Sequence, residues 1–319
     1  MFILFAKVTD AQRCDPEHNR SPHAISGLAI RLPTAYILGM KIFSSRLFKV
    51  LPLLVLSMSL SQCSCSDVMG SLFVSEADEL RLGQQFDADI HNKSSKNYQA
   101  TYTADASVQA YVQSVFDQVK AQIPSSEMPS YPLQKVQIID APKTVNAFAV
   151  PGGYIYVYTG LFTALRSENE LAAVMAHEIT HVVHHHYRNQ LAESYGTQML
   201  ITMLTGDSGT VSKVVTSLFQ LKYSRDDESD ADANGTTLAG AASYNPLGVA
   251  TFFSRMQTGL SVEVLSDHPT NSDRVKAVTA QINGNATLKA LAYDAYGNTD
   301  INLYKVSQAD FNTIKAKFP

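Results

Sequence analysis

The 319 residues of this chain, 45% hydrophobic and 17% charged, are enough for one or two globular cores and show no compositional sign of disorder. The formal charge of -4 is unevenly distributed, because residues 1–62 hold 7 Lys and Arg against 3 Asp and Glu, which leaves 18 basic and 26 acidic residues beyond them. A negative body without Lys/Arg clusters excludes sequence-independent nucleic-acid binding, which needs a basic face to displace counterions from phosphates.

The three cysteines all lie near the N-terminus, at positions 14, 63 and 65. Residues 66–319 therefore contain no cysteine, and no disulfide can link two parts of that region. For the same reason, thiolate metal ligands and a cysteine nucleophile are excluded there.

Residues 40–62 have the layout of a secretory signal peptide. Three basic residues, Lys41, Arg46 and Lys49, precede an apolar run over residues 50–60. This run is about half of the roughly 20 residues needed to span a bilayer, which makes a transmembrane helix the weaker alternative. Leu60 stands three residues before Cys63, a spacing that resembles the bacterial lipobox, in which the cysteine is lipidated and becomes the first mature residue.

The remaining segments divide the chain around one expected domain. Residues 1–39 lack useful apolar periodicity, and we interpret them as an over-extended start with Met40 as the initiator. Residues 63–71 are interpreted as a tether, residues 72–284 as the folded domain and residues 285–319 as a C-terminal extension. Aromatic residues in the extension favour packing on the domain over a partner-binding tail, among them Tyr293, Tyr296, Tyr304 and Phe311.

The first half of the domain predicts two helices and a small sheet. Apolar residues at helical spacing indicate amphipathic helices over residues 75–90 and 108–119. Residues 136–139 and 144–158 are rich in Val, Ile, Tyr and Phe, and Pro-Gly-Gly interrupts the second run. This pattern predicts a strand followed by a hairpin.

The second half of the domain is predicted to be helical. Ser167 with Glu170 three residues later forms a capping-box pattern, which predicts a helix that extends to about Tyr187. Further helices are predicted over four ranges: residues 190–204, 211–241, 246–256 and 272–282.

The predicted capped helix contains the motif HExxH, with His177, Glu178 and His181. Residues i and i+4 share one face of an α-helix, so both imidazoles can reach one metal ion while Glu178 stands beside it. A structural zinc site has no use for a carboxylate between its ligands, so the motif favours metal-assisted hydrolysis with Glu178 as general base. We interpret the following His184, His185 and His186 as structural or incidental.

A catalytic zinc site needs a third protein ligand. The metzincin pattern fails, because its Gly and His positions hold His184 and Tyr187. A glutamate on a later helix is the other common solution, with an acid four residues on that steadies a ligand histidine. Glu228 and Asp232 have that spacing and are followed by small residues that favour close helix packing; a solvated acidic face is the alternative interpretation.

These motifs occur in a fixed order: Asn146, Ala147, Phe148 and Ala149; HExxH; Ser224, Arg225 and Glu228; Ala231 and Asp232; then His268 and Pro269. The series, over residues 75–282, resembles the minigluzincin metallopeptidases, which include HtpX, the CAAX prenyl endopeptidase and the secreted bacterial proteases LoiP and BepA. The resemblance is strongest to small periplasmic lipoproteins of the LoiP kind. It implies a helix-rich α+β domain with a small β-sheet flanking the HExxH helix.

The resemblance also implies the site. His177, His181 and Glu228 would bind one Zn²⁺ per chain, with Glu178 as general base and Asp232 behind the ligands. The strand Asn146–Ala149 would pair with an extended substrate backbone. His268 and Arg274 would lie near the metal, with His268 either stabilising the oxyanion or closing the open zinc position as a latch.

The expected function is that of a zinc-dependent endopeptidase of the bacterial cell envelope, acting on unfolded or misassembled proteins in quality control. The expected location is the periplasm, with a lipid anchor in the outer membrane. The alternative is a non-hydrolytic, chaperone-like lipoprotein with a latched or structural zinc. A purely structural lipoprotein would make the ordered motifs an accident.

Overall fold

A computed structural model describes residues 75–188, 190, 191, 213, 215, 216, 218, 219, 222–256, 268, 272–293 and 308–318 of the chain. Its helices are α1 (Glu76–His91), α2 (Ala106–Lys120), α3 (Thr159–Ala164), α4 (Glu168–Val183), α5 (Arg225–Ala241), α6 (Gly248–Met256), α7 (Ser272–Gly284), α8 (Ala286–Ala292) and α9 (Gln308–Lys315). Its strands are β1 (Val136–Ile139), β2 (Ala147–Val150) and β3 (Tyr154–Tyr158). The predicted helix-rich α+β class with a small sheet is confirmed.

The three strands form a mixed sheet in the order β1-β3-β2. β1 pairs with β3 in parallel, whereas β2 and β3 form the predicted antiparallel hairpin. The hairpin turn contains Gly152 and Gly153, whose φ angles of 79° and 81° lie in the left-handed region that glycine adopts without strain. β2 is therefore an edge strand of the sheet that the described residues form.

Both faces of the sheet are buried, and successive side chains of each strand alternate between them. Ala147 and Ala149 of β2 point into the main core together with Ile155 and Val157 of β3. On the other face, Phe148 and several neighbours form a second apolar cluster that includes Phe86 of α1. The sheet thus lies between α1 and the helical core, and β2 contacts α4.

Helix α4 runs through the centre of the domain, and each of its residues is buried. Ser167 caps it by accepting a hydrogen bond from the Glu170 backbone N–H. The Glu170 carboxylate does not complete the predicted capping box, because it accepts from the backbone N–H of Arg166 and pairs with Arg255. The predicted end at Tyr187 is wrong by four residues, since His185 has a φ of 55°, which is incompatible with helix continuation.

Helix α5 packs lengthwise against α4. The predicted single helix over residues 211–241 is wrong, because residues 222–224 are not helical and Ser224 forms a capping box with Asp227 at the start of α5. At Gly235 the two helices approach so closely that a Cβ atom would lie 3.0 Å from the backbone nitrogen of His177. The small residues after Glu228 therefore permit the close packing that the sequence predicts.

The described part of the C-terminal extension packs on the domain. Phe311 of α9 is buried in the main core, and Phe318 stacks on Phe162 with ring centroids 4.5 Å apart. Several predicted features lie outside the described residues: the over-extended start, the signal peptide, Cys63, the tether, most of the helix predicted at residues 190–204, Tyr296 and Tyr304. Within the part of the chain that the structure describes, we find no helix with the length and apolar character needed to cross a bilayer.

Helix α1 crosses the hairpin turn at Gly83, and this contact leads to a stability prediction. A Cβ atom at this position would lie 2.0 Å from the carbonyl oxygen of Pro151, so any side chain must push two backbone segments apart. We expect Gly83→Ala to lower the free energy of unfolding by roughly 1–3 kcal/mol, measured by urea denaturation. Gly284→Ala is the matched control, because no atom lies within 4 Å of its Cβ position. Equal midpoints for the two variants would contradict the close approach.

Candidate metal centre and active site

Two histidines of α4 and one glutamate of α5 converge in the interior of the domain. The Nε2 atoms of His177 and His181 lie 3.0 Å apart. Glu228 faces them, with Oε1 at 3.5 Å from His181 Nε2 and Oε2 at 3.8 Å from His177 Nε2. The predicted ligands, which are up to 51 residues apart along the chain, thus present their donor atoms to one point.

His268 is buried beside this group. Its Nδ1 atom lies 2.7 Å from Glu228 Oε1 and 3.3 Å from His177 Nε2. Suitable atoms of His177, His181, Glu228 and His268 all lie within 4.8 Å of one another. Two imidazole nitrogens and a carboxylate oxygen are the donor set of a catalytic zinc site. His268 brings the number of donors to four, as in tetrahedral coordination. The residues present therefore fit a bound metal ion.

The protonation states also suit metal binding. Burial lowers the pKa of His177 and His181, which favours the neutral imidazoles that act as ligands. Burial alone would raise the pKa of Glu228, but the neighbouring His268, His181 and His177 reverse this effect and hold its pKa well below the usual range. The carboxylate is therefore ionised, as a ligand must be.

Asp232 and Arg274 form an ion pair behind the ligands. Asp232 Oδ1 lies 3.1 Å from His177 Nδ1, the ring nitrogen opposite the metal-facing Nε2. Arg274 donates from Nε and Nη2 to the two Asp232 oxygens at 2.6 and 2.7 Å, and its Nη1 lies 2.5 Å from Glu228 Oε2. One guanidinium thus contacts both Glu228 and the carboxylate beside His177.

Glu178 lines an apolar pocket. Its side chain is buried, and Oε1 lies 3.5 Å from His268 Nε2. The pocket runs between α4 and α6 and is lined by Ala173, Val174, His177, Glu178, Val249, Phe252, Phe253 and His268. A carboxylate with apolar surroundings next to a metal site is suited to proton transfer.

The predicted substrate strand coincides with the edge strand of the sheet. Ala147, Phe148 and Ala149 belong to β2, and the Asn146 carbonyl accepts a hydrogen bond from the Tyr158 N–H at 3.0 Å. The side chains of all four residues are buried, so they also contribute to the core.

Comparison with known proteins identifies the family of this fold and site. The model of peptidase family M48 matches residues 106–282, more than half of the chain. The chain belongs to peptidase family M48. The M48 segment includes the four converging donors, Glu178, Asp232 and Arg274. The resemblance to metallopeptidases that the motifs predict is confirmed at the level of the family.

Curated relatives include mitochondrial and bacterial metallopeptidases. The chain is 29% identical over 165 residues to the mitochondrial metalloendopeptidase OMA1 of Schizosaccharomyces pombe. This alignment covers 49% of this chain and 49% of OMA1. It is 29% identical over 147 residues to the metalloprotease LoiP of Escherichia coli, covering 43% of this chain and 58% of LoiP. It is 27% identical over 149 residues to the Escherichia coli metalloprotease YcaL, covering 43% of this chain and 58% of YcaL. The chain thus spans about half the length of these relatives.

Two residues of the M48 segment contact the ligands in a way that the sequence does not reveal. Tyr223 stacks on the His181 ring with centroids 3.7 Å apart. His186, interpreted above as structural or incidental, has its Nδ1 atom 2.9 Å from His181 Nδ1. Such contacts depend on how the chain turns after α4, for which no Gly or Pro signal is present.

Proposed function

We propose that this M48 chain is a zinc-dependent endopeptidase that cleaves unfolded or misassembled proteins of the bacterial cell envelope. The observation that carries the proposal is the buried group of His177, His181 and Glu228, with Glu178 directly beside it. In this proposal the first three residues hold one Zn²⁺, and Glu178 is the general base. Zinc bound there would polarise the scissile carbonyl and lower the pKa of a water molecule.

The chain's own groups account for proton transfer and ligand orientation. Glu178 takes a proton from the attacking water and later gives it to the leaving amine. The Asp232 carboxylate lies 3.1 Å from His177 Nδ1 and so directs His177 Nε2 to the metal, while Arg274 acts as a positioning residue through Asp232 and Glu228. The pKa shifts described above support neutral histidines and an ionised Glu228.

Unfolded polypeptides are the proposed substrates. An extended segment can add to the edge of β2 through its main chain, which recognises backbone more than side chains. Extended backbone is exposed in unfolded proteins, so this mode of recognition favours a quality-control role.

The proposed place of action is the periplasm, with lipidated Cys63 as the anchor to the outer membrane. The signal-peptide layout of residues 40–62 supports secretion.

The test of the proposed function is hydrolysis of unfolded casein by the purified chain. We expect cleavage that is lost on chelation and restored by stoichiometric zinc. Cleavage that survives complete metal removal would contradict a metallopeptidase. A chain that binds zinc but leaves casein intact, even with His268 replaced, would instead support the non-hydrolytic zinc-binding alternative.

His268 motivates a prediction about latency. Its Nδ1 lies among the ligand atoms, where it is suited to occupy the remaining zinc position in a resting state. We expect His268→Ala to raise the rate of casein hydrolysis about tenfold, which corresponds to removal of roughly 1.4 kcal/mol of latch stabilisation. The exposed His91 of α1 provides the control variant, His91→Gln. A 10²–10³-fold fall in rate would instead assign His268 to oxyanion stabilisation.

A further inference from the structure

A second cluster of metal-ligating side chains lies directly after α4. His184 Nδ1 and His186 Nε2 both contact the same oxygen of Asp230, with the latter distance 3.1 Å. The candidate donor atoms of these three residues lie within 4.8 Å of one another. The cluster shares no residue with the buried group formed by His177, His181, Glu228 and His268.

The backbone is specifically shaped to bring the two histidines together. His184 is the C-cap of α4, and His185 adopts a left-handed conformation with a φ of 55°. Left-handed conformations are uncommon for residues other than glycine and are maintained only where the surrounding structure requires them. Here the turn directs residues 184 and 186, on either side of His185, toward the same carboxylate of α5.

The cluster is open to solvent and has further polar neighbours. The His186, His184 and Asp230 side chains are 7%, 24% and 41% exposed, so an ion can enter and retain water ligands. Glu127 lies 3.7 Å from His184 Nε2, the ring nitrogen that does not face Asp230. Asn234 donates to Asp230 Oδ1 at 2.9 Å. A carboxylate behind a ligand histidine is the usual outer shell of a metal site.

We propose that His184, His186 and Asp230 form a second metal site, which binds one divalent ion from solvent. Two imidazole nitrogens and one carboxylate oxygen suit zinc, copper or nickel rather than calcium or magnesium. The site is incomplete without water, unlike the buried group, whose four donors all come from the protein.

The two sites are coupled by one hydrogen bond, between His181 Nδ1 and His186 Nδ1 at 2.9 Å. A neutral imidazole carries a single proton. When His181 uses Nε2 as a ligand, its proton lies on Nδ1 and is donated to His186 Nδ1. The proton of His186 then lies on Nε2, where it is donated to Asp230.

An ion bound by His186 Nε2 reverses this arrangement. The His186 proton must then lie on Nδ1, so two N–H groups face each other across 2.9 Å. Occupancy of the second site therefore opposes metal binding through His181. This consequence rests on the proposed function. The second site would act as a sensor of excess metal, because an ion bound there lowers peptidase activity.

Metal stoichiometry tests the site without any measurement of activity. Equilibrium dialysis of the full-length chain against saturating Zn²⁺, which overcomes the opposition between the two sites, is expected to give two ions for wild type and for the control His91→Gln, and one ion for His184→Gln and for Asp230→Asn. His177→Ala is expected to retain the ion at the second site. Two ions retained by His184→Gln and Asp230→Asn, or a single ion in wild type, would overturn the proposal even if the chain hydrolyses casein.

A zinc titration of casein hydrolysis tests the coupling. We expect inhibition of wild type above one equivalent of zinc, with the inhibitory concentration raised about tenfold in His184→Gln relative to His91→Gln. The Co²⁺-substituted chain gives a readout independent of turnover, because the absorption of the first ion should weaken as the second binds. Equal inhibition of the two variants, with unchanged Co²⁺ absorption, would refute the coupling.

Discussion

Glu178→Gln is expected to lower the rate of casein hydrolysis roughly 10³-fold while the chain keeps its metal. General acid–base catalysis by one positioned group contributes about 10²–10⁴-fold, and an amide cannot take up a proton near neutral pH. Glu178 is not one of the four converging donor atoms, so its replacement leaves the ligand set intact. The loss should therefore appear in kcat, with zinc content and thermal midpoint unchanged.

Helix α4 offers a matched control for this variant in Glu168. Glu168 is also buried, but it lies at the start of the helix and accepts hydrogen bonds from the hydroxyls of Tyr111 and Tyr244. Burial raises the pKa of Glu168, and a Gln at this position can accept one of these bonds and donate its amide N–H to the other hydroxyl oxygen. We expect Glu168→Gln to hydrolyse casein within a factor of about three of wild type. Similar rates for the two variants would rule out Glu178 as the base.

The ligand set illustrates how far local sequence patterns reach. His177 and His181 share a helix face because their spacing matches the helical period, and the Glu228–Asp232 pair follows the same rule on α5. The hairpin was predictable because Pro151, Gly152 and Gly153 interrupt an otherwise apolar run. These features depend only on residues close in sequence.

Two helix boundaries were not predicted correctly, each for a physical reason. Residues 211–241 were interpreted as one helix, but the Ser224 side chain accepts a hydrogen bond from the Asp227 backbone N–H and starts a new helix. That cap was readable in principle, because Ser224 and Asp227 stand at capping-box spacing. The end of α4 was not readable, since a histidine rather than glycine adopts the left-handed conformation there.

The contacts of His186 and His268 with the ligands depend on tertiary packing. His268 reaches His177 across 91 positions of the chain, and His186 meets His181 only because the helix ends between them. Neither contact has a periodic signature. The family resemblance placed His268 near the metal, whereas no pattern distinguished His186 from its two neighbouring histidines.

Arg274→Met is expected to destabilise the domain by roughly 3–5 kcal/mol and to weaken zinc binding about 10–100-fold. Arg274 is buried over the Phe253 ring at 4.2 Å and is bonded to both Asp232 and Glu228. Its own burial opposes the charge, but the bonds to Asp232 more than compensate and raise the pKa of the guanidinium. Met fills a similar volume and leaves two buried carboxylates without their cation.

Urea denaturation and zinc competition titrations separate this charge effect from lost packing. Lys276→Met on the same helix is the control, because the Lys276–Asp273 pair is exposed and contributes little to stability. The stability and zinc affinity of Arg274→Lys should lie between those of wild type and Arg274→Met. An ammonium cannot bond both Asp232 oxygens and Glu228 in the fork geometry of arginine. The double variant Arg274→Met/Asp232→Asn removes one stranded charge, so it should be more stable than Arg274→Met alone. If the single Met variant were as stable as Lys276→Met, the buried ion pairs would contribute nothing to holding Glu228 and His177 in place.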